Sequence, residues 1–246
     1  MISDKVEKST KSPWLQNFEV IKTSIRVSAS DSCDEDDDDD AICGCTSTNG
    51  KNICFDDRCI NFATQTECVD CQPGCRNNRI QRGNTSNIEV RETPGKGYGL
   101  FACEDLPKGQ FVIEYVGELI TIRDLRARMN ALGSKGHLYG MQLKPDTFLD
   151  ASRKGSISRF INHSCEPNAT VDFWTIGKRL HVGVFTAQNI SSGTELTFDY
   201  KWEPSSNRPP TKCLCRSPSC RGTIEVLSQV IKEVNVNVNY ESQLLE

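Results

Sequence analysis

The stretch RFINHSCEPNA, residues 159–169, sets one of the chain's three histidines, His163, two positions before a thiol, Cys165. Three chemistries suit that pairing: a thiolate nucleophile beside its base, two ligands of one metal ion, or two side chains serving separate sites. Which of them holds decides what the segment joins, and with it the fold. The pairing alone leaves all three open.

The remaining cysteines favour metal. No apolar run in residues 1–30 has the length of a signal peptide, and nothing downstream approaches a membrane span. The chain is therefore expected to be intracellular, with no membrane partner, where thiols stay reduced. Seven of its thirteen cysteines, Cys43, Cys45, Cys54, Cys59, Cys68, Cys71 and Cys75, crowd a stretch with too few large apolar residues to bury them as free thiols. Two tetrahedral zinc ions need eight ligand positions, and seven thiolates fill them if one sulfur bridges. Cys54, between the two halves, is the expected bridge: Cys43, Cys45, Cys54 and Cys59 hold one ion, and Cys54, Cys68, Cys71 and Cys75 the other. A second cluster, Cys213, Cys215 and Cys220, is one ligand short of a closed site. Cys33, Cys103 and Cys165 remain, and Cys165, in a loop, is the best of the three.

A chain of 246 residues can bury a core without disulfides. The run DSCDEDDDDD (31–40) carries eight acidic side chains and no basic one. Setting those aside leaves 25 acidic against 29 basic residues, so a net charge of -4 becomes +4. Such a run reads as a solvated linker. Before it, Trp14, Phe18, Ile21 and Ile25 are spaced to pack onto the remainder of the chain. Between residues 88 and 202, short apolar runs bounded by Gly, Pro and Asn (IEVRE, GLFAC, FVIEYVGEL, FLDA, TVDFW, LHVGVFTA, ELTFDY) predict a mainly β, α+β domain. One helix is predicted over IRDLRARMNAL, 122–132. The expected divisions are an N-terminal segment with acidic linker (1–40), a cysteine module (41–86), a β domain (87–204), a second cysteine module (209–225) and a tail (226–246). The tail's Val226, Leu227, Val230, Ile231 and Val234 fit one helical face before alternating Asn and Val compete with it.

Four motifs then coincide in order. GKGYGLFA (95–102), EYVGEL (114–119), RFINHSCEPN (159–168) and ELTFDY (195–200) resemble the four motifs of the SET-domain lysine methyltransferases. The flanking cysteine modules resemble the AWS and post-SET modules of the branch that methylates histone H3 at the position-36 lysine. The resemblance spans roughly residues 41–224. It implies a SET-domain β-fold with a pseudoknot that brings the third motif beside the last, flanked by zinc-binding AWS and post-SET modules with three zinc ions in all. It also implies a nuclear, chromosome-bound protein, monomeric, whose substrate is the histone H3 tail within nucleosomes.

The implied reaction moves a methyl group from S-adenosylmethionine to a lysine amine. A free lysine has a pKa near 10.4, so only about one in a thousand carries the needed lone pair near neutrality. An apolar channel disfavours the charged form, and bringing the amine to neutrality corresponds to roughly 4 kcal/mol. By motif match Tyr200 is the catalytic tyrosine, and Tyr115 and Phe198 line the lysine channel. The resemblance places Lys96, Gly97, Tyr98, His137, Leu138, Tyr139, Asn162 and His163 on the cofactor, with Thr211 and Gly222 closing its adenine side. Relatives commonly carry an aromatic where this chain has Leu138, which would widen the channel. On this reading Asn162 and His163 serve the cofactor, while Cys165 joins Cys213, Cys215 and Cys220 on zinc.

Two rivals are a catalytically inactive, zinc-stapled chromatin-binding module and a thiol hydrolase built on His163 and Cys165. The first would be expected to have lost one of Tyr200, Asn162 or GKGYG; the second lacks an evident oxyanion donor set. Arg76, Arg79 and Arg82 form a basic patch suited to DNA phosphates. The loop 202–211 is expected to cover part of the channel.

Overall fold

The computed structural model describes residues 18–27, 43–45, 54–71, 73–132, 139–204 and 209–226. Short apolar runs become short strands. One sheet runs in the order β3 (Ile88–Thr93), β4 (Gly97–Ala102), β12 (Glu195–Phe198), β9 (Asn162–His163). Its last pairing is parallel, Asn162 opposite Thr197 and His163 opposite Phe198, and Ser164 N–H extends it to the Phe198 carbonyl at 3.2 Å. The third and fourth motifs thus lie side by side, as the family resemblance implies. A second sheet holds β10 (Ala169–Ile176), β11 (Arg179–Thr186) and β5 (Phe111–Glu114); a third is built on β6 (Gly117–Thr121), β8 (Thr147–Gly155) and β7 (Gly140–Lys144). Leu100, Val112, Leu149, Ile161, Val184 and Leu196, all but inaccessible, fill the space between the sheets.

The run FVIEYVGEL is two strands rather than one. Glu114 ends β5 opposite Gly183 of β11, and Glu118 begins regular pairing with Asp150 of β8. The chain changes sheets at Tyr115 and Val116, whose side chains are buried at the crossing. Alternation within the run could not reveal this, because both halves bury apolar residues. The helix α2 (Ile122–Leu132) spans the predicted residues. Thr121 and Asp124 cap it reciprocally: Asp124 N–H donates to Thr121 Oγ1 (3.2 Å), and Thr121 N–H to Asp124 Oδ2 (3.3 Å). Arg128 pins it to the sheet through Glu118 (2.6 Å) and Asp150 (2.7 Å), two buried carboxylates that would be costly unpaired.

The N-terminal segment joins this body through two-residue parallel strands, β1 (Glu19–Val20) on β8 and β2 (Ile25–Arg26) on β6. Phe18 ends the strap with its ring 5.8 Å from Phe160 and 4.2 Å below the Arg159 guanidinium carbon. Packing of the segment's apolar residues is thus met at Phe18, while Ile21 and Ile25 are half-buried and join through backbone pairing; Trp14, the acidic run and the tail beyond Val226 lie outside the described residues. The cysteine-rich segment, with the short helix α1 (Ile60–Ala63), docks on β10 through backbone bonds: Glu67 N–H to the Thr175 carbonyl and Thr175 N–H to that of Gln65, both 2.8 Å. Arg79 lines one cleft with Arg76 and Arg82, and its half-buried guanidinium also lies among Phe62, Trp174 and Phe185, 4.5–5.3 Å from their ring centres, so it ties the segment to the sheet as well.

Candidate active site and thiol clusters

The sheet crossing, the β9–β12 pairing and the residues after β12 converge on one cavity of about 680 Å³. Tyr115, Tyr139, Phe198, Tyr200 and Trp202 wall it, and Asp172 is among the charged side chains that reach it. Ring centres of Phe198 and Tyr200 are 5.0 Å apart, and those of Tyr200 and Trp202 are 5.2 Å apart. The Tyr200 hydroxyl donates to the Ile161 carbonyl at 2.8 Å, and that of Tyr115 to the Tyr139 carbonyl at 3.3 Å. Burial pushes both phenols above their ordinary range, so they stay protonated and act as neutral hydrogen-bonding groups, not as bases. Such a cavity can take an unbranched alkyl chain ending in an amine, strip its water and hold a cationic product against aromatic faces.

The first and third motifs meet at Asn162, the residue after Ile161. Asn162 Nδ2 donates to the Tyr98 carbonyl (3.0 Å) and to Glu195 Oε1 (2.7 Å), while the Lys96 ammonium sits 2.7 Å from Glu195 Oε2. Lys96 thus meets its counter-charge within its own fold. Gly97 has φ +79, a conformation open to glycine. A Cβ on Gly99 would lie 2.5 Å from Thr93 Oγ1 and 2.8 Å from Glu195 Oε1. Thr93 Oγ1 is itself buried without a partner. A glycine-lined edge beside an unsatisfied hydroxyl fits a polar small molecule such as S-adenosylmethionine.

His163 and Asp199 link this region to the chain's C-terminal cysteines. Tyr200 N–H donates to His163 Nδ1 at 3.2 Å, and burial lowers the pKa of the imidazole, keeping it a neutral acceptor despite Asp199 nearby. Burial opposes the charge on Asp199, but two bonds from Arg221, both 2.9 Å, and the Lys201 amide hold its pKa below the usual carboxylate range. Cys165 Sγ lies 3.5 Å from His163 Nε2, 3.7 Å from Cys213 Sγ and 4.0 Å from Cys220 Sγ.

Cys165, Cys213, Cys215 and Cys220 form one compact group of sulfurs; Cys33 lies outside the described residues. Two more groups occupy the N-terminal cluster: Cys43, Cys45, Cys54 and Cys59, and Cys43, Cys54, Cys68 and Cys71. Tetrahedral zinc–thiolate geometry separates sulfurs by about 3.8 Å, and observed separations of 3.3 to 3.9 Å between pairs in this cluster suit it. The first group has the expected composition. The second holds Cys43 where Cys75 was expected; Cys75 is buried in the same cluster. Cys43 and Cys54 both belong to both groups, so the grouping does not single out Cys54 as the bridge.

Of the expected site residues, Tyr115, Tyr139, Phe198 and Tyr200 line the cavity, and Lys96, Gly97, Tyr98, Asn162 and His163 gather behind it. His137 and Leu138 lie outside the described residues, as does part of the loop 202–211. Thr211 and Gly222 sit on the C-terminal cysteine segment, which packs beside the glycine edge with Leu214 Cδ1 3.8 Å from where a Gly95 Cβ would be. Sequence reasoning passed over Glu195, Arg159 and Arg221, while Trp202 opens the loop expected to cover the channel and does line the cavity. Glu195 and Arg159 each open a recognised motif, a legible signal. Arg221 gains its role only from tertiary contacts.

A family model described as SET domain matches residues 97–201. A protein named "Histone-lysine N-methyltransferase, H3 lysine-36 specific" from Mycosarcoma maydis is 42% identical over 196 residues, covering 76% of this chain and 20% of that protein. One of the same name from Schizosaccharomyces pombe is 40% identical over 193 residues, covering 74% and 24%. The chain thus spans roughly a fifth to a quarter of the length of these relatives. Among solved structures, the polycomb repressive complex 2 of Chaetomium thermophilum matches with a TM-score of 0.59 and 28% identity, over 64% of this chain and 24% of that one. A second match of equal score is the same complex "in an autoinhibited conformation bound to S-adenosylmethionine".

Proposed function

Because the chain belongs to the SET-domain family, we propose that it is a histone-lysine N-methyltransferase, taking its methyl group from S-adenosylmethionine and acting on the position-36 lysine of histone H3. One observation carries the proposal: Tyr200, which walls the aromatic cavity, bonds the Ile161 carbonyl, and the next residue, Asn162, bonds the Tyr98 carbonyl of the glycine-lined edge. When bound, S-adenosylmethionine supplies an electrophilic methyl on a sulfonium. Lys96, Gly97, Tyr98, Asn162 and His163 are the residues we assign to its binding, with His137, Leu138, Tyr139, Thr211 and Gly222 completing the site. Tyr115, Phe198 and Trp202 exclude water from the lysine and disfavour its charged form, so the amine arrives as a nucleophile. Tyr200 fixes the reactive end, and most of the acceleration comes from holding the two reactants in line.

Zinc in the three thiol groups would fasten both cysteine segments, with Cys43, Cys45, Cys54, Cys59, Cys68, Cys71 and Cys75 holding two ions and Cys165, Cys213, Cys215 and Cys220 the third. We place the protein in the nucleus, on chromosomes, as a monomer. Its DNA contact falls to a cleft of about 450 Å³ lined by Arg76, Arg82 and Lys108 with the exposed ring of Phe55; the lining includes no acidic side chain among the described residues.

The test is incubation with nucleosomes and S-adenosylmethionine carrying a labelled methyl group, followed by mass spectrometry of histone H3. Label at position 36 is expected. Label at another lysine would correct the substrate, and cofactor binding without transfer would favour the inactive module.

A further inference from the structure

Tyr200 is held by His163 at its amide and by the Ile161 carbonyl at its hydroxyl, and Asp199 holds the turn that follows it. The Lys201 N–H donates to Asp199 Oδ1 at 3.0 Å. That bond closes a turn in which Lys201 takes φ +49, a left-handed conformation a lysine does not adopt unaided. The other face of the same carboxylate receives the Arg221 fork, Nη1 to Oδ2 and Nη2 to Oδ1, both 2.9 Å. Arg221 is fixed in turn: its N–H points to Cys165 Sγ (3.4 Å), its Nη2 also reaches the Ile224 carbonyl (3.3 Å), and it directly follows Cys220. A continuous path thus runs from the C-terminal sulfurs through one guanidinium to the turn that aims Tyr200.

We propose that Arg221 is a positioning residue for the transfer reaction, coupling the C-terminal thiol group to the orientation of Tyr200 through Asp199. The inference rests on the methyltransferase reading for its consequence, but not for its geometry. A fork with two parallel N–H bonds fixes the plane of a carboxylate, whereas a single ammonium fixes only a distance. Arg221 touches neither reactant, so its loss should lower kcat while leaving the KM for the cofactor nearly unchanged.

The experiment compares wild type with Arg221→Ala, Arg221→Lys, Asp199→Asn and the Arg221→Ala/Asp199→Asn double variant. Zinc content, hydrogen exchange by mass spectrometry and steady-state kinetics are read for each. Arg221→Ala is expected to keep the zinc content of wild type, to speed exchange of the Tyr200 amide about tenfold or more, and to lower kcat about tenfold or more. Arg221→Lys should restore charge but not the exchange rate, and the double variant should be no worse than the worse single one. Unchanged exchange around Tyr200, full rescue by lysine, or additive losses would overturn the proposal. If wild type transfers no methyl while the exchange effects appear, the methyltransferase reading falls and the coupling stands.

Discussion

Tyr200 uses its hydroxyl to satisfy the Ile161 carbonyl, so that group has a structural as well as a chemical duty. Tyr200→Phe is expected to cost only about 1 kcal/mol of stability yet to lower the transfer rate by about 10²-fold or more. Thermal melting and single-turnover kinetics on one preparation separate the two. Asp172 is a different case. Half-buried on the cavity wall, it has its pKa raised by burial, with Arg79 and Lys201 only partly opposing. A carboxyl whose folded pKa lies above its unfolded value is destabilising when ionised, and the penalty disappears as pH falls below the unfolded pKa. Asp172→Asn should therefore raise the melting temperature slightly at pH 7 and not at pH 3.5. It should also weaken a basic histone peptide most at low salt, as KM against ionic strength would reveal.

At the scale of elements, β4 runs so close to Thr93, Glu195 and Asn162 that only glycine fits at position 99. Gly99→Ala is expected to push those side chains aside and weaken cofactor binding about tenfold or more, measured by calorimetry. Arg79→Ala should loosen the cysteine-rich segment from β10 and β11 by about 2 kcal/mol, seen as faster hydrogen exchange at Gln65 and Glu67. The same elements mark how far sequence reading goes. α2 was legible because its apolar spacing is local, and most of the strands because their runs are bounded by turns. β7, β9 and the two-residue strands β1 and β2 lie outside the turn-bounded apolar runs and exist because a neighbour offers an edge. Tyr200 and Asn162 could be found from their motifs. Arg159 opens the third motif, but its stacking 3.9 Å from the Tyr139 ring centre has no local signal.

Across the whole molecule, both ends of the described chain close on residues 159–165: Phe18 lies against Arg159 and Phe160, and Cys213 and Cys220 approach Cys165. Elemental analysis is expected to find three zinc ions per chain, one for each thiol group. Cys165→Ser should retain two of them and lose cofactor affinity. A chelator strong enough to strip all three should unfold the cysteine segments while leaving the β6–β8 pairing, which needs no metal, protected from exchange. The convergence also orders events on the ribosome. Every strand through β12, β9 with its Asn162 and His163 included, can pair before residue 213 leaves the exit tunnel, yet Cys165 meets its partner sulfurs only once Cys220 has emerged. A nascent chain halted between those points would hold its sheets and lack its C-terminal thiol group.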